Sequence, residues 1–175
     1  MGAASSTRQP HAQSLTDIEG GASPRPSVEL SLFYQGGGTS LLKARNCLER
    51  LLDSGGTELV HLQHWLVERH AEELLHFLVA ARESTAQDPD FSRRSEFQSL
   101  HDEFIRAGAP QELNISASAR RCAAEAFNRN PDDWNTVPGV ASEHLSPVML
   151  EVTDLIIKAH WFGFVKQRIV QGGTI

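Results

Sequence analysis

Gly108-Ala109-Pro110-Gln111-Glu112-Leu113-Asn114-Ile115 is a short polar loop between two helical patterns, and the reading of the whole chain turns on it. Upstream, Phe97, Leu100, Phe104 and Ile105 recur at helical spacing, which predicts a helix over about residues 94–107 with Gly108 as its left-handed cap. Downstream, Ser116 or Ser118 can cap a further helix that runs to about Phe127. Within the loop, Leu113 and Ile115 are apolar anchors on either side of Asn114, whose carboxamide both donates and accepts hydrogen bonds.

Working outward, the same periodicity continues. Thr39 or Ser40 can cap a helix with an apolar set of Leu41, Leu42, Cys47, Leu48, Leu51 and Leu52, which Gly55-Gly56 stops. Thr57 opens the next, carrying Leu59, Leu62, Trp65 and Leu66, and after a break near His70 another shows Leu74, Leu75, Phe77, Leu78 and Ala81. Asp88-Pro89-Asp90 is a turn signal, because the residue before proline avoids the α region. Residues 128–143 are polar and read as a long loop, in which Trp134 either tucks over the core or offers a contact to a partner. Ser146-Pro147 reads as an N-cap and first-turn proline starting a helix with Val148, Val152, Leu155 and Ile156 inward, and residues 160–169 as a second short helix. Strand-like alternation of useful length is absent. The class is all-α, built by helix-bundle packing.

Composition bounds the function. A net charge of −6 without a Lys/Arg cluster argues against a nucleic-acid surface. With 40% apolar residues the chain can build a core without metal or disulfide staples, so Cys47 and Cys122 are expected as reduced core thiols. The longest apolar run, Phe77 to Ala81, falls far short of the ~20 residues that span a bilayer. The N-terminus lacks the basic start and apolar core of a secretory signal, which points to the cytoplasm.

Residues 1–27 are rich in Ser, Gly, Ala and Pro and are expected as a disordered tail, residues 28–44 as a linker and helical entry, 45–170 as the folded domain and 171–175 as a short C-terminal tail. Met1-Gly2-Ala3-Ala4-Ser5-Ser6 fits the N-myristoylation pattern, with Gly2 as the acceptor. One such chain gives only marginal membrane binding, and the tail adds just Arg8 and Arg25, so association with the cytoplasmic face of the membrane would be weak and reversible.

Four of eight histidines fall between His61 and His76, and Glu73-Leu74-Leu75-His76 is a Glu-x-x-His of the kind used by di-iron bundles. A single copy does not complete such a site, and helix histidines near glutamates are the commoner reading, so neither a metal nor another cofactor is expected. Phosphate-loop and nucleophile-elbow motifs are also missing, and the sequence offers little for an enzyme with its own active site.

The order of the pieces resembles a regulator of G-protein signalling (RGS) domain over about residues 45–170. Leu48-Glu49-Arg50-Leu51-Leu52 is similar to the family's opening Leu-Glu-x-Leu-Leu, and Leu62-x-x-Trp65-Leu66 stands where it has Phe-x-x-Phe-Leu. Glu72-Glu73-Leu74-Leu75-His76-Phe77 stands where it has Glu-Glu-Asn-Leu/Ile-x-Phe, and Asp102-Glu103-Phe104-Ile105 with the Gly108 to Ile115 loop, a hydroxyl cap and Arg120 is the most specific block. Leu145 through Leu155 to Phe164-Val165 resembles the closing helices.

The resemblance implies an antiparallel bundle with a terminal helical subdomain, which binds the GTP-bound Gα subunit of a heterotrimeric G protein and accelerates its GTP hydrolysis. The alternative is an RGS-like binding module without that activity. Asn114 matches the residue that approaches the catalytic Gln of Gα. Glu73, Glu112, Leu113 and Leu155 match other contact positions. Leu74 replaces the motif Asn, Ala159 stands where many members have Asp, Gly163 where they have Arg, and His70 where Tyr is common. Each lost polar contact is expected to cost roughly 1–3 kcal/mol of binding.

Overall fold

Buried Ala44, Leu48 and Leu51 form the inner stripe of the first helix, α1 (Leu41–Ser54), which Gly55 and Gly56 separate from α2 (Thr57–Val67). The computed structural model describes residues 41–87, 94–130, 132–136 and 139–171. The expected tail at 1–27, the entry segment as far as residue 40, the Asp88-Pro89-Asp90 turn and residues 172–175 lie outside them. The chain continues through α3 (Glu72–Gln87), α4 (Arg94–Leu100), α5 (Ala117–Glu125), α6 (Asp133–Thr136), α7 (Val140–Leu155) and α8 (Phe162–Val170). The class is all-α, as expected, with no strand among the described residues.

Cross-helix pairs fix the directions. Ser116 meets Glu151 and Cys122 meets His144, so α5 and α7 run antiparallel. Glu58 meets Arg168 while Trp65 meets Phe164, which sets α2 against α8 in the same way. Helices α3, α4, α5 and α7 build one end around Phe77, Phe97, Phe104 and Val152. Helices α1, α2 and α8 form the terminal subdomain, joined to α7 by the Arg45 to Asp154 ion pair at 2.7 Å. That pair, followed by the ammonium of Lys158, holds the Asp154 carboxyl below its usual range.

Four sequence expectations change. The first is the 128–143 loop, which is largely helical: a 3₁₀ turn at Ala126–Asn128 precedes α6, and α7 begins at Val140 behind Gly139. The polar composition is overridden by Trp134, which is 1% exposed and packs 5.3 Å from Phe97. The open question at that residue therefore resolves toward the core. Second, Ser146-Pro147 does not start α7. Val140, Ala141, His144, Leu145 and Val148 already supply a buried stripe, and Pro147 lies inside the helix on its exposed side.

Third, α7 and α8 are one continuous helix and not two. Ile156–Trp161 forms a π-helical turn whose flanking residues keep α-region angles, and residues 156–161 contain neither Gly nor Pro to break the helix. Similarly, the helix expected over 94–107 closes in a π turn, His101–Ile105. Fourth, Leu41 and Leu42 are exposed at 53% and 64%, and Cys47 and Cys122 are free but only half-buried. Partial burial still pushes the Cys47 thiol up, which keeps it in its unreactive protonated form.

Truncating Trp134 to Ala removes one of the largest fully buried side chains and should cost about 3–5 kcal/mol of unfolding free energy. Urea unfolding of the two proteins measures it. A loss below ~1 kcal/mol would mean the ring does not pack as described.

Candidate functional site

The loop that carries Asn114 is fastened on three sides. At its start Gly108 has φ +74°, a left-handed conformation that a β-carbon would strain, and its N–H donates to Glu112 Oε2 at 2.8 Å. Its backbone then pairs with the end of the preceding helix, Gln111 N–H donating to Glu103 O at 3.0 Å and Leu113 N–H to Phe104 O at 2.9 Å. Leu113 is fully buried and Ile115 nearly so, which anchors both sides of Asn114.

Arg120 of α5 closes the loop from below. Its Nη1 donates to Ile105 O and its Nη2 to Leu113 O at 3.0 Å, while Nη2 also lies 3.1 Å from Glu112 Oε1. One guanidinium thus satisfies a carbonyl before the loop, a carbonyl within it and a loop carboxylate. Next to it, Ser116 resolves the choice of cap: its Oγ accepts from Ala119 N–H at 3.2 Å, and its Oγ–H and N–H donate to Glu151 at 2.7 and 2.6 Å. The loop is therefore tied to α7.

The third attachment reaches α3. Gln111 Nε2 donates to Glu103 Oε1 at 2.9 Å, and Gln111 Oε1 lies 2.7 Å from His76 Nδ1. Glu103 offers an acceptor, so the amide nitrogen faces it, the amide oxygen faces the imidazole, and Nδ1 of His76 carries the proton. His76 is accordingly a loop fastener. Among the described residues no group of three His, Cys, Asp or Glu side chains is placed to hold a metal ion.

These ties also place the other predicted contact positions. Glu73 lies one turn before His76 on α3 and is half-buried. Leu155 lies one turn beyond Glu151 on α7 and is half-buried as well. At ~1.5 Å rise per residue, each stands within about 6 Å along its helix of a bond to the loop. The structure thus gathers Asn114, Glu73 and Leu155 at one end of the bundle. Asn114 is exposed, and no hydrogen bond to its carboxamide is formed among the described residues.

Leu74 and Leu113 are placed differently, inside the core at 5% and 0% exposure, so their side chains shape the surface from beneath. Glu112 is exposed but engaged by Gly108 and Arg120. Ala159, in the π turn, and Gly163, in the first turn of α8, are exposed. A β-carbon at Gly163 would lie 2.8 Å from Cζ2 of Trp65. The indole occupies the space that a side chain at 163 would need, so positions 65 and 163 are packed as a pair. His70, the predicted break, has φ +52°. His160 is pushed below its ordinary value, first by burial and then by the Arg69 charge.

Sequence periodicity did not single out His76, Gln111 or Glu151. Polar partners 35 residues apart leave no periodic trace. A family model described as the regulator of G protein signaling domain matches residues 48–169. No curated protein matches the chain.

Replacing Arg120 with Met keeps the stem but leaves two carbonyls without their donor. Stability should fall by about 2–4 kcal/mol, and amide exchange at Leu113 and Ile115 should accelerate more than at Val148 in α7. Uniform acceleration throughout would show that Arg120 has no special hold on the loop.

Proposed function

Since the chain belongs to the regulator of G-protein signalling family and is thereby a regulator that acts on Gα subunits, we propose that it accelerates GTP hydrolysis by Gα in its GTP-bound form. The observation that carries this reading is Asn114, an exposed amide with no competing hydrogen bond among the described residues, held on a loop fastened to α3, α5 and α7. Gα supplies its own catalytic Arg and the Gln that orients the attacking water, so the regulator contributes no acid, base or finger. It lowers the barrier by binding the switch segments more tightly in the transition state than in the ground state. A carboxamide suits the position beside that Gln because it donates to one neighbour while accepting from another. Glu73 and Leu155 complete the contact, which Ala159 in the π turn and Gly163 in α8 extend.

A second reading, binding to Gα without acceleration, is favoured by one feature. Leu74 and Gly163 contribute no polar group, and Trp65 prevents a longer side chain at 163 without rearrangement. We further propose that Gly2 is N-myristoylated and holds the domain weakly at the cytoplasmic face of the membrane, as the Met1 to Ser6 pattern suggests.

Single-turnover hydrolysis by Gα from the same organism separates the readings. Acceleration by the wild-type chain is expected, and Asn114→Ala should reduce it about 10- to 100-fold, the loss of one buried interfacial hydrogen bond. No acceleration by wild type favours the binding-only reading, and equal acceleration by Asn114→Ala contradicts the role of the amide. Intact mass of protein made with the native acyltransferase should show one myristoyl group, absent from Gly2→Ala; an unmodified wild-type mass removes the lipid proposal.

A further inference from the structure

Where Ala159 and Gly163 leave the exposed side of the long C-terminal helix without reach, α2 and the turn after it supply two side chains. The Trp65 indole passes beneath Gly163 and packs edge-on to Phe164, with ring centres 6.4 Å apart. Arg69, in the turn after α2, lies on that indole with Cζ 3.2 Å from the ring centre. Its Nη1 donates to Trp65 O at 3.0 Å and to Glu68 Oε2 at 3.2 Å. Stacking and two hydrogen bonds therefore fix the guanidinium, so little rotamer entropy is left to lose on binding.

The other edge of that guanidinium is open. Among the described residues, Nε and Nη2 of Arg69 make no hydrogen bond, and the side chain is 35% exposed. Elsewhere in the molecule the same edge of Arg168 grips a carboxylate: Nε and Nη2 donate to the two oxygens of Glu58 at 3.2 and 2.9 Å. That pair is enclosed, with side chains 14% and 20% exposed. Arg69 has the identical fork with no carboxylate on it among the described residues. Glu68 neutralises it only in part, because its carboxylate meets Nη1 from a side chain that is 65% exposed.

We propose that Arg69, held on Trp65 beside Gly163, is a specificity-determining contact that receives a carboxylate of the Gα partner in the gap left at positions 159 and 163. The inference rests on the docking reading above. A planar fork with two parallel donors fits a carboxylate bidentately, and tryptophan and arginine are the side chains most enriched at the energetic centres of interfaces. The side chain missing at 163 is thereby replaced by a cation from the turn after α2, which would restrict binding to Gα subunits that carry an acidic residue opposite it.

The test is the affinity of the full chain for Gα subunits of the same organism loaded with GDP and aluminium fluoride. Arg69→Ala should weaken binding about tenfold or more and flatten its salt dependence, while Arg69→Lys should restore only part of it. Thermal unfolding should show both variants folded, as the side chain lies at the surface. Binding of Arg69→Ala within twofold of wild type, while Asn114→Ala is impaired, overturns the inference and leaves the docking reading intact. Absence of binding by wild type overturns both. Unchanged Gα binding combined with lost binding to phosphatidylserine vesicles assigns the cation to a membrane instead and also overturns the proposal.

Discussion

The guanidinium of Arg120 holds together what the rest of the site depends on. It donates to the carbonyls of Ile105 and Leu113 and pairs with Glu112, which itself receives the N–H of Gly108. Without it, the carbonyls of Ile105 at the end of the fourth helix and of Leu113 at the anchor would lose their donor, at about 1–3 kcal/mol for each buried one. The loop's geometry is therefore a property of the helix that follows it. Glu151 and His76 add attachments from α7 and α3, so three packed helices determine where Asn114 stands. This is the arrangement expected of a group that must meet a partner's active site with little loss of freedom.

A second constraint governs the terminal subdomain. The indole of Trp65 and the missing side chain at Gly163 are two halves of one packing solution, since a β-carbon at 163 would meet the ring at 2.8 Å. The Arg168 to Glu58 fork and the Trp65 to Phe164 contact fasten α8 to α2 around it. The all-α fold of the family is kept, with the indole in the space that a side chain at 163 would need. A larger residue at 163 would require the half-buried Trp65 ring beneath it to shift.

The helical class was legible because apolar periodicity is read out directly as burial: Leu48, Leu62, Leu78, Phe97 and Val152 all lie inside. The left-handed Gly108 and the Ser116 cap were legible because each is a local chemical requirement of a helix end. Residues 128–143 were misread because composition there is polar, whereas Trp134, Val140 and Ala141 are buried in the core. The start of α7 was misplaced because Ser146-Pro147 satisfies the rule for a helix beginning, although the stripe from Val140 to Val148 already committed the chain. In the site, Asn114 and its apolar anchors were visible, but Glu151 and His76 act through partners distant in sequence. Such pairings become visible only once the helices are packed.

The central claim is that this surface selects the transition-state form of Gα. Its most direct test is the affinity of the full chain for one Gα subunit in three forms: GDP alone, a non-hydrolysable GTP analogue, and GDP with aluminium fluoride. Catalysis by differential binding predicts tightest binding to the aluminium fluoride form, by tenfold or more over the GTP analogue, and weakest binding to GDP alone. Equal affinity for the GTP analogue and the aluminium fluoride form would contradict the account.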